Sequence, residues 1–445
     1  MRRVPVATAL AIATLVGTSC TTTEVRTIRV PVEQSATASA APEATASTNG
    51  RPGVGSTTVK TWDQDVPAGS LTASDVGVTA TTIKIGHIGD FTGQARAFFG
   101  PQLDSLNAYI ADLNAHGGIF GRRVQLVYYS GSYQSPDQVL AAARRLVEKD
   151  KVFAVVTQSG LDNANTSAMR YYNENGIPCI GCHAASQISE DLGASIFSNL
   201  VAPKIHGEIL GAFLAKRLGK KQMALGFCPS SWSHQVKDSI KASFERYGGT
   251  VVDERDIGTC DQQTMEPTVT AWSSMVPRPD VVAVTDPIGM AEGAAAARRM
   301  GWSVQFTGPR GMAQLVLDIG GSQTEGLIGT TDGLAPPGTN TAELQRFRRV
   351  LKKYYPKRTE EQNTLRPWAD MRMFEEAARR VGPNLTRAGL AKTLGELRGW
   401  SDGVGSPLSF APKKHWGRSA IAFFRIHNQS FQRATEEDYF TINDF

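Results

Sequence analysis

"LNAHGGIFGRRVQLVYYSGSYQSPDQVLAAARRLVEKDKVFAVV", residues 113–156, passes through three hydrophobic patterns in turn. Just upstream, Leu103, Leu106 and Ile110 lead into Leu113 at the spacing of one helix face, and His116-Gly117-Gly118 stops that helix. "VQLVYY" (124–129) then reads as a strand. Ser135 and Pro136 suit an N-cap and a first helical position, "DQVLAAARRLVEKDK" continues as a helix, and "VFAVV" (152–156) is a fully apolar strand. Strand, helix and strand in that order build a parallel sheet with a helix on its face. The unit therefore sets the fold class as α/β.

The same alternation extends in both directions. "TIKIGHI" (82–88) is a strand before it, and "NANTSAMRYYNEN" (163–175) is a helix leading through Gly176 to "IPCI". After about residue 200 the pattern starts again. Ile205, Ile209, Leu210 and Phe213 mark a helix face, "QMALGF" a strand, Val236, Ile240 and Phe244 a helix, then "TVVDERDI", a helix around Trp272, "DVVAVT", a helix from Gly289 to Met300, and "VQFTG". Two such runs predict two lobes, each with a parallel sheet covered on both faces. Ligands of open parallel sheets sit at the carboxyl ends of the strands, which places the loops of interest near Gly89, Thr157, Gly181, Cys228, Thr285 and Thr307. The two halves share architecture without an internal sequence repeat.

Composition narrows the function. The 445 residues carry 47 basic and 42 acidic side chains, an excess too dilute to point to nucleic acid. Arg2 and Arg3 precede an apolar run from Val6 to Val16 that ends in "GTSC", the form of an export signal over 1–20. The run is too short to span a bilayer, which excludes a polytopic membrane protein. Cys20 sits where a bacterial lipoprotein signal places its acylated cysteine, although Gly17 stands where a leucine is usual; cleavage of an ordinary secretory peptide nearby is the competing reading. Residues 21–75, rich in Thr, Ala, Ser, Val and Pro, cannot bury a core and read as a disordered tether. The expected location is extracytoplasmic, lipid-anchored to the cell membrane.

Four blocks carry a resemblance. "IKIGHIGDFTGQARAFFG" (83–100), the stretch 108–156, "NENGIPCIG" (173–181) and "VQFTGPRGMA" (304–313) resemble, in this order, the type I periplasmic binding proteins of the branched-chain amino acid and amide ABC importers. The likeness runs from about Val76 to about His427, and "LNAHGGIFG" is its most specific piece. It implies two Rossmann-like lobes joined by three crossover hinge segments, with 78–199 and 331–405 in the first lobe and 200–330 and 406–445 in the second. One small ligand would be trapped as the lobes close, and an ABC permease would recognise the closed form. No catalytic residue and no cofactor are implied; a cell-surface sensor using the same fold is the alternative. An enzyme finds no support in the residues, which offer no nucleophile-base pair in motif context, metal-ligand cluster or phosphate loop.

The resemblance places ligand contacts residue by residue. Phe99, in "GQARAFFG", matches a ligand-covering aromatic but lacks a hydroxyl, and a packed core ring is its competing role. Ser159, Gly160 and Asp162 lie where relatives bind a carboxylate at a helix N-terminus, although Asp162 or Asn163 alone could simply cap that helix. His183, Ala185 and Ser186 follow in "IPCIGCHAAS". That stretch also contains Cys-x-x-Cys-His, the attachment pattern of c-type haem, but a cysteine inside a buried strand offers no accessible face beside a large pocket. Cys179 and Cys182 are therefore expected to be free or mutually bridged. Cys228 and Cys260 follow successive strands and could bridge in an oxidising compartment; four cysteines beyond Cys20 leave three pairings open.

In the second lobe Trp232 matches an aromatic that stacks on ligand, with burial in the core as its competing role, and Asp286 lies in another contact loop. Arg310 is the main departure. Amino-acid-binding relatives carry a carboxylate for the ligand ammonium in the "GP-Glu-G" block, whereas this chain reads "GPRG". A guanidinium repels a cation and favours oxyanions, so the expected solute is small and carries an acidic or neutral polar group instead of an ammonium. Alternatively Arg310 is held in a salt bridge to Asp286 or Asp332. The basic run "RFRRVLKKYYPKR" (346–358) has the spacing of a solvated helix face.

Overall fold

The computed structural model describes residues 71–93, 95–131, 135–158, 162–182 and 193–445. The expected signal, Cys20 and all but the last residues of the tether lie outside these, as do Ser159, Gly160, His183, Ala185 and Ser186.

The first run of the chain forms β1 (Thr82–Gly89), α1 (Arg96–Ala115), β2 (Arg123–Ser130), α2 (Pro136–Arg144), β3 (Ala154–Gln158), α3 (Asp162–Glu174), β4 (Cys179–Cys182) and β5 (Ile196–Val201). Ser135 caps α2, accepting from the Gln138 N–H at 3.4 Å, with Pro136 in the first turn, as the local pattern predicts. The second run forms α4 (Pro203–Lys216), β6 (Gln222–Phe227), α5 (Ser231–Arg246), β7 (Thr250–Asp256), α6 (Gln262–Ser273), β8 (Val281–Val284), α7 (Pro287–Arg299), β9 (Gln305–Gly308), α8 (Gln314–Gly320) and β10 (Ile328–Thr330). Three further helices follow, α9 (Ala342–Tyr354), α10 (Gln362–Val381) and α11 (Arg387–Gly395), then the short strands β11 (Trp416–Arg418), β12 (Phe423–His427) and β13 (Ser430–Arg433).

These strands make two sheets. One has the order β11-β5-β4-β3-β1-β2, all neighbours parallel. The other has the order β13-β12-β10-β9-β8-β6-β7, parallel from β7 to β10 and antiparallel at β12 and β13. Helices α1 and α10 pack together in the first lobe, where Trp368 meets Tyr109 edge-on at 4.6 Å and Phe347 at 5.2 Å. In the second lobe Phe213 of α4 stacks on Phe423 of β12 at 3.6 Å. Two disulfides staple strand ends: Cys179 to Cys182 across β4, and Cys228 to Cys260, which follow β6 and β7. With Cys179 and Cys182 bonded to each other, neither thiol is free for a haem thioether. Among the described residues no helix is long and apolar enough to cross a membrane.

The chain passes between sheets three times: after β5, after β10 and after β11. The last passage falls later than the sequence indicates. Residues 416–418 pair with β5 of the first sheet, so the first lobe does not end at 405. A buried cation holds this strand in place. The Arg418 guanidinium donates to the Asn199 carbonyl at 2.7 Å, to the Ser406 carbonyl and to the Asp402 carboxylate, linking the end of β5 to the returning chain. All three passages meet at Gly333. Its φ of +84° is left-handed, and a Cβ there would stand 2.6 Å from Arg418 Cδ, 2.9 Å from the Ala420 carbonyl oxygen and 3.0 Å from Val201 Cγ2.

This junction is testable against a glycine with the same backbone and no neighbours. Gly338 has φ +83° and open space around it. Both Gly→Ala changes incur left-handed strain, but Gly333→Ala is expected to lose about 1–3 kcal/mol more in chemical denaturation, from overpacking. Equal losses would show that the three passages are not packed on one another.

Candidate functional site

The carboxyl ends of the strands and the three passages converge on a group of charged side chains. From the first lobe come Thr157, at the end of β3, and two residues of α10, Arg366 and Asp370. Thr157 has φ +56°, and its hydroxyl donates to Asp370 at 2.7 Å. Its carbonyl meets the ring of His87, whose pKa burial pushes down to about 4. Asp370 presses against β4 at Gly181, where φ is +73° and a Cβ would collide with the carboxylate. Burial pushes Asp370 up to about 7, against the opposing effects of the Thr157 bond and the charges of Arg366 and Arg418.

Asp332 lies on the second passage, fully buried. One oxygen accepts from Arg310 Nε at 2.8 Å and the other is 3.2 Å from His206 Nδ1. The far side of the His206 ring meets the Thr330 hydroxyl at 2.5 Å. Burial alone would raise the Asp332 carboxyl, but Arg310, His206 and Arg366 hold it well below the ordinary carboxylate range. Arg366 is 7% exposed. Burial, then repulsion from Arg310, lowers its pKa to about 10 against the attraction of Asp332 and Asp370.

From the second lobe, Arg310 follows β9 in a left-handed turn with φ +58°. Its guanidinium carbon lies 3.7 Å from the centre of the Trp232 ring, a close cation-π contact. The Trp232 indole N–H and the Thr285 hydroxyl are buried without a hydrogen-bond partner among the described residues. Asp286 caps α7, accepting from the N–H groups of Ile288 at 2.8 Å and Gly289 at 3.1 Å, and burial raises its pKa. Nearby, α10 touches the second lobe directly: Gln362 N–H donates to the Met312 carbonyl at 2.7 Å, and Gln314 N–H to the Glu361 carboxylate at 3.0 Å.

The structure thus joins Trp232 and Arg310 and gives Arg310 the Asp332 partner, one of the two weighed from sequence. Asp286 serves as a helix cap beside them. Phe99 is buried in α1 with its ring edge-on to Phe98 at 5.1 Å. Asp162 opens α3. Arg366, Asp370 and His206 escaped the sequence reading, which marked Thr157 only as the start of a loop. A signal existed in "LRPWAD" (365–370), where Arg366 and Asp370 stand one turn apart on an otherwise apolar helix face. Among the described residues no three metal-ligating side chains converge.

Comparison with known proteins places this architecture. The family model for periplasmic binding proteins matches residues 82–430. The chain belongs to the periplasmic binding protein family. A curated relative, an amino acid binding protein of Pseudomonas aeruginosa, is 29% identical over 168 residues, which are 37% of this chain and 44% of the relative; the match thus spans less than half of that protein. Among solved structures, the leucine binding protein LivK of Thermotoga maritima superposes with a TM-score of 0.70 at 19% identity, covering 82% of this chain and all of LivK. A solute binding protein of an R. palustris ABC transporter, solved with benzoate, gives 0.70 at 16% identity, covering 81% and 98%. At these identities the superpositions speak for the fold.

Asp370 sets a pH dependence for this family member. Its folded pKa is raised, so between the ordinary carboxylate range and about 7 the folded chain holds a proton that the unfolded chain has lost. Stability falls as pH rises through that window. Asp370→Asn has no such proton. Its stability relative to wild type is expected to climb by up to about 1.4 kcal/mol per pH unit between about pH 5 and pH 7 in urea denaturation. A constant difference across that range would contradict the buried protonated carboxyl.

Proposed function

We propose that this protein is the extracytoplasmic solute-binding component of an ABC importer, tethered to the membrane by a lipid on Cys20, and that it captures one small polar solute by closure of its two lobes. The observation that carries this reading is the convergence of Arg310, Trp232, Asp332 and Arg366 from both lobes on the passages between the sheets. Groups drawn from both halves contact one solute fully only when the halves approach, which couples binding to a change of shape. A permease that reads the closed shape then takes up loaded protein. No reaction step is assigned.

The solute is expected to present an acidic or neutral polar group to the second lobe in place of an ammonium. Arg310 stands there, paired with Asp332, and its guanidinium repels a cation and favours an oxyanion or a neutral acceptor. Ser159, Gly160, His183, Ala185 and Ser186 remain the proposed first-lobe contacts. Thermal-shift and calorimetric screening of the mature protein with amino acids, amides, dicarboxylates and aromatic acids tests this. Acidic or amide solutes should raise the melting temperature and simple amino acids should not. Tight leucine binding that persists in Arg310→Ala would overturn the ligand assignment.

A further inference from the structure

The other deeply buried arginines of this protein are fully provided for. Arg122 donates to the carbonyls of Thr79, Pro383 and Thr72 at 2.7, 2.8 and 2.9 Å. Arg418 has two carbonyls and the Asp402 carboxylate. The partly buried Arg372, whose Nε also lacks a hydrogen bond, has carboxylates at 3.5 Å (Glu343) and 3.8 Å (Glu375). Arg366 differs from all of these. Its guanidinium makes no ion pair or hydrogen bond with any described residue, and Nε is buried without a partner.

Neither Asp332 nor Asp370 forms an ion pair with Arg366. Asp332 Oδ2 accepts from Arg310 and Asp370 Oδ2 from Thr157, while the other oxygen of each is buried without a hydrogen-bond partner among the described residues. Asp286, within electrostatic reach of Arg310, accepts from two backbone N–H groups at the start of α7. Arg310 itself faces Arg366 as a like charge, which makes the solitary guanidinium less favourable still. A buried, unpaired cation beside a second cation is a costly arrangement unless an anion joins it. The unfilled Trp232 N–H and Thr285 hydroxyl add donor capacity at the same strand ends.

Resting on the solute-binding reading above, we propose that Arg366 is a specificity-determining residue whose guanidinium receives a carboxylate of the solute, with Arg310 and its Trp232 support on the second-lobe side. The solute class is then a small organic carboxylate. The planar fork of Arg366 can hold both carboxylate oxygens, and closure brings Arg310 toward the same group. The carboxylate relieves the repulsion between the two guanidiniums and gives Arg366 a direct hydrogen-bonded partner, which no described residue supplies.

The test uses the mature lipid-free chain and matched pairs of probes, short aliphatic and benzoic acids against their own carboxamides, in calorimetry and thermal shift. Wild type should bind its preferred acid at least about tenfold tighter than the matching amide, the range of a charge-assisted hydrogen bond. Arg366→Met should lose that preference while keeping the weaker amide binding, and without solute it should melt higher than wild type, because the unpaired charge is gone. Arg366→Lys, which keeps the charge and loses the fork, should fall between them and remains informative if the Met variant does not fold. Amides binding as tightly as acids, or acid affinity unchanged in Arg366→Met or Arg366→Lys, would overturn the assignment of Arg366 and leave solute binding standing. Failure of wild type to bind any acid, amide or amino acid would overturn both.

Discussion

Asp332 is the carboxylate on which the rest of the site depends. It is fully buried on a passage between the lobes, and it draws Arg310 from one side and His206 from another. Burying a carboxylate is tolerable only with close counter-charge. Arg310 provides that charge at 2.8 Å and is steadied in turn by the Trp232 face. With Arg310 paired to Asp332, Arg366 is the cation of the cluster that makes no ion pair or hydrogen bond with a described residue.

The geometry that allows this is set by the passages themselves. Gly333 lets the second passage lie against Val201 of the first and Arg418 and Ala420 of the third, so three covalent links form one narrow joint. A joint of this kind permits the lobes to rotate about it while keeping the groups beside it in register. Asp332 sits one residue from Gly333, close to the pivot, where rotation moves side chains least. The loop from Met312 to Gln314 meets Gln362 of α10 and its capping residue Glu361. Burial raises the Glu361 carboxyl to about 7, against the backbone N–H groups that favour its charged form.

Much of the fold was legible because its strands are short, wholly buried apolar runs flanked by periodic helices; the stretch from Leu113 to Val156 folds as its periods direct. Strand β5 escaped because "IFSNLV" interrupts its apolar run with Ser198 and Asn199, both buried, Asn199 bonding the Arg366 carbonyl. Strands β11 to β13 span three to five residues each and carry no periodic signal. In the site, Trp232 and Arg310 were found through their loops. Arg366 and Asp370 were missed because charged residues on a helix are read as solvent-facing, whereas α10 is buried around most of its circumference and turns both inward. No local pattern reveals that; only the packing of α10 against the strand ends does.

The central claim is that two α/β lobes move about this joint and trap a solute beside Asp332. Small-angle X-ray scattering of the mature chain, alone and saturated with the tightest solute from the binding screen, measures it most directly. The account predicts a smaller radius of gyration and a shorter maximum dimension in the loaded protein. Identical scattering profiles with saturation verified by calorimetry would show a rigid body and contradict it.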